Sequence, residues 1–259
     1  MKKPLLYSAV LVLICLFLSG CGRNGGKDGD PSTAIRIAGS TSMIPVSQKL
    51  ARAYERIHPG VIIHIEGGDS SLGVRGVAEG VVDIGSVSRP LTAEESQNLT
   101  SYTITEDSIC IIVNRENPVG EMTIDGIKEV FSGKITNWKE VGGPDRPITI
   151  INREQGSGTC STFEDIVMKG EPVKKGALIT TSTGAMLSSV AGDPWAVGYV
   201  SSNYSREGVK TVSIHTGADR VFVLKRPLMY VVSRDTSGIA RDYLNFCTGE
   251  EGKRILGKG

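Results

Sequence analysis

Three loops rich in glycine and hydroxyl side chains carry the clearest chemistry in this 259-residue sequence. They are Gly39 to Ser42, Gly67 to Ser71 and Gly156 to Thr159, and each stands between a predicted strand and a predicted helix. Free backbone N–H groups at a helix start attract anions, and Ser and Thr hydroxyls add further donors. Glycine lets the backbone approach a bound group closely. The loops therefore predict a site for a small oxyanion.

Arg153 is the candidate positive charge for such a site. It stands four residues before Ser157 and just ahead of the Gly-Ser-Gly-Thr run. A guanidinium can donate two parallel hydrogen bonds to one oxyanion. One such loop alone is usually only a turn with a helix cap, and one arginine alone is more often a surface residue or half of an ion pair. The prediction depends on finding all three loops in one chain.

Other chemistries find less support in the sequence. None of the loops reads GxxxxGK[ST], which argues against a nucleotide P-loop, and Ser157 is not in a GxSxG turn. A serine hydrolase or phosphatase would need a histidine beside an activated serine. The three histidines stand at a predicted helix end (His58), in a strand (His64) and in a late polar stretch (His215). We therefore expect no catalytic residues, no cofactor and no metal.

Strands and helices alternate after residue 33, and this alternation predicts an α/β fold. Ile35 to Ala38 reads as a strand, and an apolar stripe from Ile44 to Ile57 predicts a helix that stops before Pro59. The pattern repeats with a strand at 61–65, a loop at 67–73, a helix through 77–78 and a strand at 82–85. Each sheet is expected to be mainly parallel and flanked by helices, with ligands bound at the carboxyl ends of the strands.

The later elements predict a second lobe and a return to the first. A strand at 108–113 leads into Asn114 to Pro118, a predicted crossing between lobes. Thr92 and Glu95 form a capping-box signature for a helix before it. The remaining predicted elements are helix 123–131 closed by Gly133, strand 148–152, helix 159–169, strands near 196–200, 221–223 and 228–232, and a last helix through 239–247. We predict a first lobe of 33–112 plus 228–259, a second lobe of 113–227 and a ligand in the cleft between them.

The first residues resemble the signal of a bacterial lipoprotein. Met1 to Lys3 is basic, Leu5 to Leu18 is apolar, and Leu18 to Cys21 ends the run with small residues and a cysteine. The apolar run is shorter than a membrane-spanning helix requires. The resemblance implies a signal peptide of 1–20, diacylation of Cys21 with chains such as palmitate, and a flexible tether of 21–32. The protein would then be extracytoplasmic, anchored to the bacterial membrane by lipid.

Charge and cysteine content exclude further classes. Removing Lys2 and Lys3 leaves Lys plus Arg at 27 against 28 Asp plus Glu, and this balance predicts no nucleic-acid partner. Cys110, Cys160 and Cys247 are odd in number and have no CxxC spacing, so they predict neither a disulfide framework nor a zinc site. We interpret them as small buried hydrophobic residues, with a single bridge as the alternative.

From Ile35 to the C-terminus the sequence resembles the phosphate-binding lipoproteins of the phosphate-specific ABC importer, which have the type II periplasmic-binding-protein fold. The stretches that carry the resemblance are Ala38 to Ser42, Gly67 to Gly73, Val82 to Gly85, Ser88 to Leu91, Phe131 to Trp138, Arg153 to Thr159 and Ala196 to Val200. The resemblance implies a two-lobed monomer that binds inorganic phosphate and delivers it to an ABC permease in the membrane. The phosphate-binding residues that it implies are Thr41, Ser42, Ser70, Ser88, Arg153, Ser157, Gly158 and Thr159, with Ser40 and Arg89 as possible additions.

Two positions depart from the family pattern. Ser88 stands where many members have an aspartate that accepts the proton of hydrogen phosphate and disfavours sulfate. Arg89, next to it, either donates to the anion or pairs with a carboxylate. Cys160 stands where many relatives have an arginine. The alternatives are therefore a receptor for sulfate, molybdate or tungstate, a sensing or adhesive surface lipoprotein, and a hydrolase or phosphatase that uses Ser157.

Three further residues are interpreted as structural. Asp83 is expected to support the backbone near the site, and Asp69 to hold its own loop through an Asx turn. Trp138 is expected to pack beneath a loop, since phosphate offers no surface for stacking.

Overall fold

The computed structural model describes residues 33–204, 206–216 and 220–257. The predicted signal peptide 1–20, the lipidation site at Cys21 and the tether 21–32 lie outside the described residues. Within the described ranges no helix is both long and apolar enough to cross a membrane.

Strands and helices alternate through the first part of the described chain, as predicted. The strands are β1 (Ala34–Ser40), β2 (Ile62–Gly68), β3 (Ile84–Val87), β4 (Leu99–Asn114), β5 (Glu121–Thr123), β6 (Thr149–Arg153), β7 (Leu178–Thr180), β8 (Ala196–Ser201), β9 (Val209–Thr216), β10 (Arg220–Val221) and β11 (Leu224–Ser233). The helices are α1 (Ile44–Ile57), α2 (Ser70–Ala78), α3 (Ile124–Ser132), α4 (Gly158–Phe163), α5 (Thr183–Gly192), α6 (Gly238–Thr248) and α7 (Glu250–Ile255).

The strands join into one continuous sheet in the order β2-β1-β3-β11-β4-β8-β6-β7, with β9 beside β4. The pairs of β1 with β2 and β3 are parallel, as are the pairs of β6 with β7 and β8. The pairs that β11 makes with β3 and β4 are antiparallel, and so is the pair of β4 with β8. The predicted α/β class is confirmed, and the parallel strands flank an antiparallel centre.

Two hydrophobic cores lie on this sheet. The first includes Ile37, Leu50 and Tyr243, and the second includes Phe131 and Tyr199. We call the elements around the first core the first lobe and those around the second core the second lobe. Smaller clusters under α2 and α5 cover other parts of the sheet. The molecule therefore has the two-lobed architecture that the sequence predicts.

The long strands β4 and β11 contribute to both cores. In β4, Ile104 belongs to the first core and Ile111 to the second. In β11, Tyr230 belongs to the first core and Leu224 to the second. These two strands pair with each other along the whole of β11, from Leu224 to Ser233. They are the chain segments that connect the lobes, and the predicted boundaries at 113 and 228 stay predictions.

Local capping signals account for several helix ends. Thr123 caps α3 by accepting a hydrogen bond from Gly126 N at 3.0 Å. Gly133 ends α3 in the left-handed conformation at φ +79°, which glycine adopts without strain. The capping box of Thr92 and Glu95 forms, with reciprocal bonds of 2.8 and 3.2 Å. The helix predicted after it is wrong, because only a 3-10 turn fits before β4 begins at Leu99.

Other boundaries differ by a few residues. The loop predicted at 67–73 is shorter, since β2 runs to Gly68 and α2 begins at Ser70. The strand predicted at 82–85 lies at Ile84–Val87. The helix predicted at 159–169 is α4 followed by a π-helix at Glu164–Met168. β7, β9 and α5 were not predicted, because their sequences lack a clear apolar period.

The residues interpreted as structural have structural contacts. Asp69 caps α2 by accepting from Leu72 N at 2.8 Å, and Asp83 accepts from Arg36 N at 2.7 Å. Trp138 is fully buried and donates its ring N–H to the Trp195 carbonyl at 2.9 Å. The interpretations of Asp69 and Trp138 are confirmed, whereas Asp83 supports the backbone at the start of β1 and not at the loop that follows Ser40.

The three cysteines among the described residues are unpaired. Cys160 and Cys247 are buried and Cys110 is partly buried, and all three are free thiols. Burial raises the pKa of Cys160 to about 11, so its thiol stays protonated near neutral pH. The interpretation as small hydrophobic residues is confirmed for Cys160 and Cys247, and the alternative of a bridge is wrong.

Candidate functional site

The first lobe brings its hydroxyl side chains together at one edge of the sheet. β1 and β3 are parallel neighbours with Gly39 opposite Ser86, so the loops after them lie side by side. Ser40 Oγ donates to Ser88 Oγ at 2.9 Å, and Ser88 N donates to Ser70 Oγ at 3.1 Å. Ser70 and Ser88 are both fully buried. Three loops distant in sequence therefore form one polar surface.

Gly39 makes this arrangement possible. Its φ is +134°, and a Cβ at this position would lie 3.1 Å from Ser86 N and from Gly73 Cα. A side chain here would force α2 away from the ends of β1 and β3. Gly39 therefore lets Ser70, at the start of α2, reach the loop that carries Ser88.

The second lobe presents Arg153 and the start of α4. Arg153 ends β6 and is 3% exposed. Its guanidinium donates to Glu154 at 3.0 and 2.8 Å and to the Thr180 carbonyl at 3.3 Å. Ser157 caps α4 by accepting from Cys160 N at 3.3 Å. Arg153 is thus fixed within the same loop region as the helix start.

Hydroxyl groups from the two lobes contact each other directly. Ser42 Oγ lies 3.0 Å from Thr159 Oγ1. Thr41 Oγ1 lies 3.1 Å from Thr183 Oγ1 and accepts from Thr183 N at 3.1 Å. Tyr204 donates from its hydroxyl to the Thr41 carbonyl. The lobes are closed on each other at the predicted site.

Gly158 lies close against the first lobe. A Cβ on Gly158 would lie 2.6 Å from Ser88 Oγ and 3.0 Å from Ser88 C, and would also overlap the Ser70 hydroxyl. Nearby, Ser71 N donates to the Gly156 carbonyl at 3.2 Å. Glycine at position 158 is therefore a requirement of the closed geometry.

All eight residues predicted to bind the anion thus lie on the facing loops of the two lobes. Thr41, Ser42, Ser70 and Ser88 come from the first lobe, and they are 7%, 1%, 0% and 0% exposed. Arg153, Ser157, Gly158 and Thr159 come from the second, and all are buried. Ser40, a possible addition, belongs to the same cluster through its bond to Ser88.

Arg89, the other possible addition, pairs with a carboxylate. Its guanidinium donates to both oxygens of Glu95 at 2.8 Å and approaches Ser71 Oγ at 3.4 Å. The hydrogen bond and the Glu95 charge raise the pKa of Arg89, and the same contact lowers the pKa of Glu95. Of the two roles considered for Arg89, the structure shows the ion pair.

Sequence reasoning missed a buried ion pair beside the site. Arg226 Nη2 lies 2.8 Å from Asp107 Oδ2, and both side chains are fully buried. Arg226 Nη1 also donates to Thr159 Oγ1 at 2.6 Å. Burial lowers the pKa of Arg226, while the charge of Asp107 opposes that shift. Neither residue belongs to a glycine loop, so no local signal pointed to them.

The carboxylate of Asp107 is fully engaged. Oδ2 accepts from the Arg226 guanidinium, and Oδ1 accepts from Ser202 N, Ser202 Oγ and Asn203 Nδ2 at 3.2, 2.8 and 3.2 Å. Among the described residues there is also no group of three or more His, Cys, Asp or Glu side chains placed to hold a metal ion. The hydroxyls, the backbone N–H groups and Arg153 suit an anion, and Arg153 is paired with the Glu154 carboxylate.

The fold and the site define a two-lobed protein of the periplasmic-binding-protein type, with the hydroxyl-rich loops of its two lobes in contact. The chain belongs to the PBP superfamily, since the family model described as a PBP superfamily domain matches residues 26–251.

Named relatives agree with this assignment. The phosphate-binding protein PstS of Bacillus subtilis is 25% identical over 276 residues, covering 96% of this chain and 90% of that protein. A crystal structure of a proposed phosphate ABC transporter substrate-binding protein with bound phosphate, from Clostridium perfringens, has a TM-score of 0.80 and 35% identity, covering 87% of this chain and 97% of that one. An ABC-type phosphate transport receptor from Vibrio cholerae has a TM-score of 0.67 and 30% identity, covering 86% and 97%.

Proposed function

We propose that this protein is the substrate-binding protein of an ABC importer and that it captures inorganic phosphate. The observation that carries the proposal is the closed contact between two donor-rich surfaces, one from each lobe, with Arg153 buried beside them. The relatives that are 25 to 35% identical and are described as phosphate-binding or phosphate-transport proteins support phosphate as the ligand.

The proposed ligands come from both lobes. Ser and Thr hydroxyls can donate to the anion from one side, and Arg153 with the backbone of α4 can donate from the other. The proposed set is Thr41, Ser42, Ser70, Ser88, Arg153, Ser157, Gly158 and Thr159, with Ser40 in support. Closure excludes water, so each hydrogen bond to the anion gains strength from the low local dielectric. Binding from both sides favours the closed state.

The proposal includes the lipid anchor that the first residues of the sequence predict. Cleavage after residue 20 and diacylation of Cys21 would anchor a monomer outside the cytoplasm, with residues 21–32 as a tether. The closed lobes, divided near 113 and 228, would then present their surface to the membrane permease. Loss of membrane association in a Cys21→Ala variant is the expected result.

A broader oxyanion specificity is favoured by one observation. Ser88 holds the place of the expected aspartate, and the buried Asp107 has no free acceptor site. A hydroxyl can accept the proton of hydrogen phosphate or donate to a fully ionised oxygen. Neither Ser88 nor Asp107 therefore offers a free carboxylate that would discriminate against sulfate, and sulfate, molybdate and tungstate remain candidate ligands.

Calorimetric titration of the full chain, purified in detergent and freed of anion, tests the proposal. We expect phosphate to bind, and Arg153→Met to weaken it by at least about a hundredfold, because a charged hydrogen-bond donor is lost from a buried site. Arg36→Met is the matched control, since Arg36 pairs with Asp83 on the exposed side of β1. Failure of the folded wild-type chain to bind phosphate would refute the proposal.

A hydrolase that uses Ser157 finds no support in the described contacts. The Ser157 hydroxyl accepts from Cys160 N as a helix cap. His58 stacks on Tyr54, and His215 lies 3.4 Å from Glu121. Turnover of a chromogenic phosphate ester that Ser157→Ala abolishes would overturn this conclusion.

A further inference from the structure

The Asp107–Arg226 pair occupies the connection between the lobes. Asp107 lies in β4 and Arg226 in β11, and the two residues are directly opposite in the antiparallel register. Both side chains are 0% exposed. Replacing a buried ion pair by apolar residues is often neutral or stabilising, so stability alone is a weak reason for this pair. The contact of Arg226 with Thr159 gives a better reason for the presence of the pair.

We propose that Arg226 is a positioning residue for the anion site: it fixes the Thr159 hydroxyl, and Asp107 fixes Arg226. This inference rests on the proposed function, because it concerns the same anion. The guanidinium donates Nε and Nη2 to Asp107 Oδ2 at 3.0 and 2.8 Å, which leaves Nη1 to reach Thr159 Oγ1 at 2.6 Å. Only a planar fork of donors serves both partners in this way.

The contact restricts the directions in which Thr159 can donate. Arg226 has no acceptor, so Thr159 Oγ1 must accept from it. The hydroxyl hydrogen of Thr159 then lies away from Arg226 and can point toward the first lobe, where Ser42 Oγ lies 3.0 Å away and either hydroxyl can be the donor. With one lone pair of Thr159 held by Arg226, the hydroxyl hydrogen is available to an anion between the lobes. Arg226 thereby preorganises a donor that it does not itself supply.

Asp107 limits the effect of Arg226 on the anion to the geometry of Thr159. It neutralises the guanidinium, and three donors from Ser202 and Asn203 hold its other oxygen. The pair therefore adds no net charge beside the anion. Arg226 acts through the geometry of Thr159, and this distinguishes it from a direct counter-ion for the anion.

The test is a double-mutant cycle on phosphate affinity in the full chain. Arg226→Lys and Thr159→Val should each weaken phosphate binding about tenfold. The double variant should bind like Thr159→Val alone, because Arg226 acts through that hydroxyl. Urea unfolding of the ligand-free variants supplies the structural readout. Independent, multiplicative losses of affinity, or a loss of stability by Arg226→Lys without loss of affinity, would overturn the proposal.

A second variant, which leaves Arg226 unchanged, distinguishes a positioning role of Arg226 from a role as direct counter-ion. Asp107→Asn leaves the guanidinium unneutralised but loosens it, so positioning predicts phosphate binding weakened about three- to tenfold. A direct counter-ion predicts tighter binding instead, and that result would refute positioning. Arg36→Lys, in the exposed pair with Asp83, is the control and should change nothing. If the wild-type chain itself bound no phosphate, the proposed function would be refuted. That result differs from a positioning failure, in which the wild-type chain binds phosphate and the variants do not behave as predicted.

Discussion

Hydroxyl side chains dominate the proposed anion site, and each can both donate and accept a hydrogen bond. Ser40, Ser70 and Ser88 already form such a cluster in the first lobe, with Ser88 Oγ 2.9 Å from Ser40 Oγ and 3.5 Å from Ser70 Oγ. A carboxylate at position 88 could only accept from a protonated anion. We therefore expect the residue at this position to govern which oxyanions can bind.

Ser88→Asp should convert the site to one that discriminates against sulfate. Sulfate carries no proton at neutral pH, so a buried carboxylate beside it costs several kcal/mol and should weaken its binding more than about a hundredfold. Phosphate can donate its proton to the carboxylate, so its binding should weaken by less than about tenfold. Competition titrations measure the ratio. Ser88→Asn, which has a similar shape and no charge, is the control and should weaken both anions equally; equal losses with Ser88→Asp would contradict the account.

At the scale of single residues, the sequence predicted those site residues that stand in a recognisable local motif. Thr41, Ser70 and Ser157 follow glycines at strand ends, so type and position suffice to place them. Arg226 and Thr183 carry no such signal. They reach the site only because β11 lies beside β4 and α5 packs near the first loop, and these contacts are long-range features of the sheet.

The start of α4 is the element on which closure depends. Gly158 faces Ser70 and Ser88 so closely that a methyl group cannot fit without moving the loop of the opposite lobe. Helix propensity alone would favour alanine over glycine in this first turn. The requirement for glycine therefore comes from the contact between lobes.

Gly158→Ala should weaken phosphate binding by about ten- to a hundredfold while the free energy of unfolding changes by less than about 1 kcal/mol. The reason is that the added Cβ opposes closure and is tolerated in an open molecule. Titration calorimetry and urea unfolding measure the two effects. Gly192→Ala, at the end of α5 with nothing within 4 Å of its Cβ position, is the control. Unchanged affinity in Gly158→Ala would show that closure does not limit binding.

Elements with local signals were also the predictable ones. α1 has its apolar stripe, and α3 has both its Thr123 cap and its Gly133 end. β4 is 16 residues long, whereas the predicted strand covered only its last part. The first part, from Leu99, mixes polar and apolar residues and has no clear strand pattern. It forms a strand because it pairs with β11 in the centre of the sheet, and this pairing is not visible in a single segment.

The whole molecule consists of two cores joined by β4 and β11. A return strand at 228–232 in the sequence was enough to predict the two-lobed plan, since it implies a second crossing. The closed state and the direct contacts between Ser42 and Thr159 could not be predicted, because they depend on the angle between the lobes.

A ligand that holds both lobes should raise the melting temperature. At one hundred times its Kd, phosphate should stabilise the closed protein by about 2.7 kcal/mol. This corresponds to an increase in Tm of about 5–10 °C for a chain of this size. Calorimetric scans with and without phosphate measure the shift, and chloride at equal ionic strength is the control. A shift equal to that in chloride would mean that phosphate does not bind the folded state specifically.

A crystal structure of the chain grown with phosphate tests the central claim most directly. The account predicts one tetrahedral anion between Thr41, Ser42 and Ser70 on one side and Arg153 with Ser157 to Thr159 on the other. It also predicts that Arg226 contacts Thr159 and not the anion. Density for phosphate elsewhere, or closed lobes without an anion at saturating phosphate, would contradict the account.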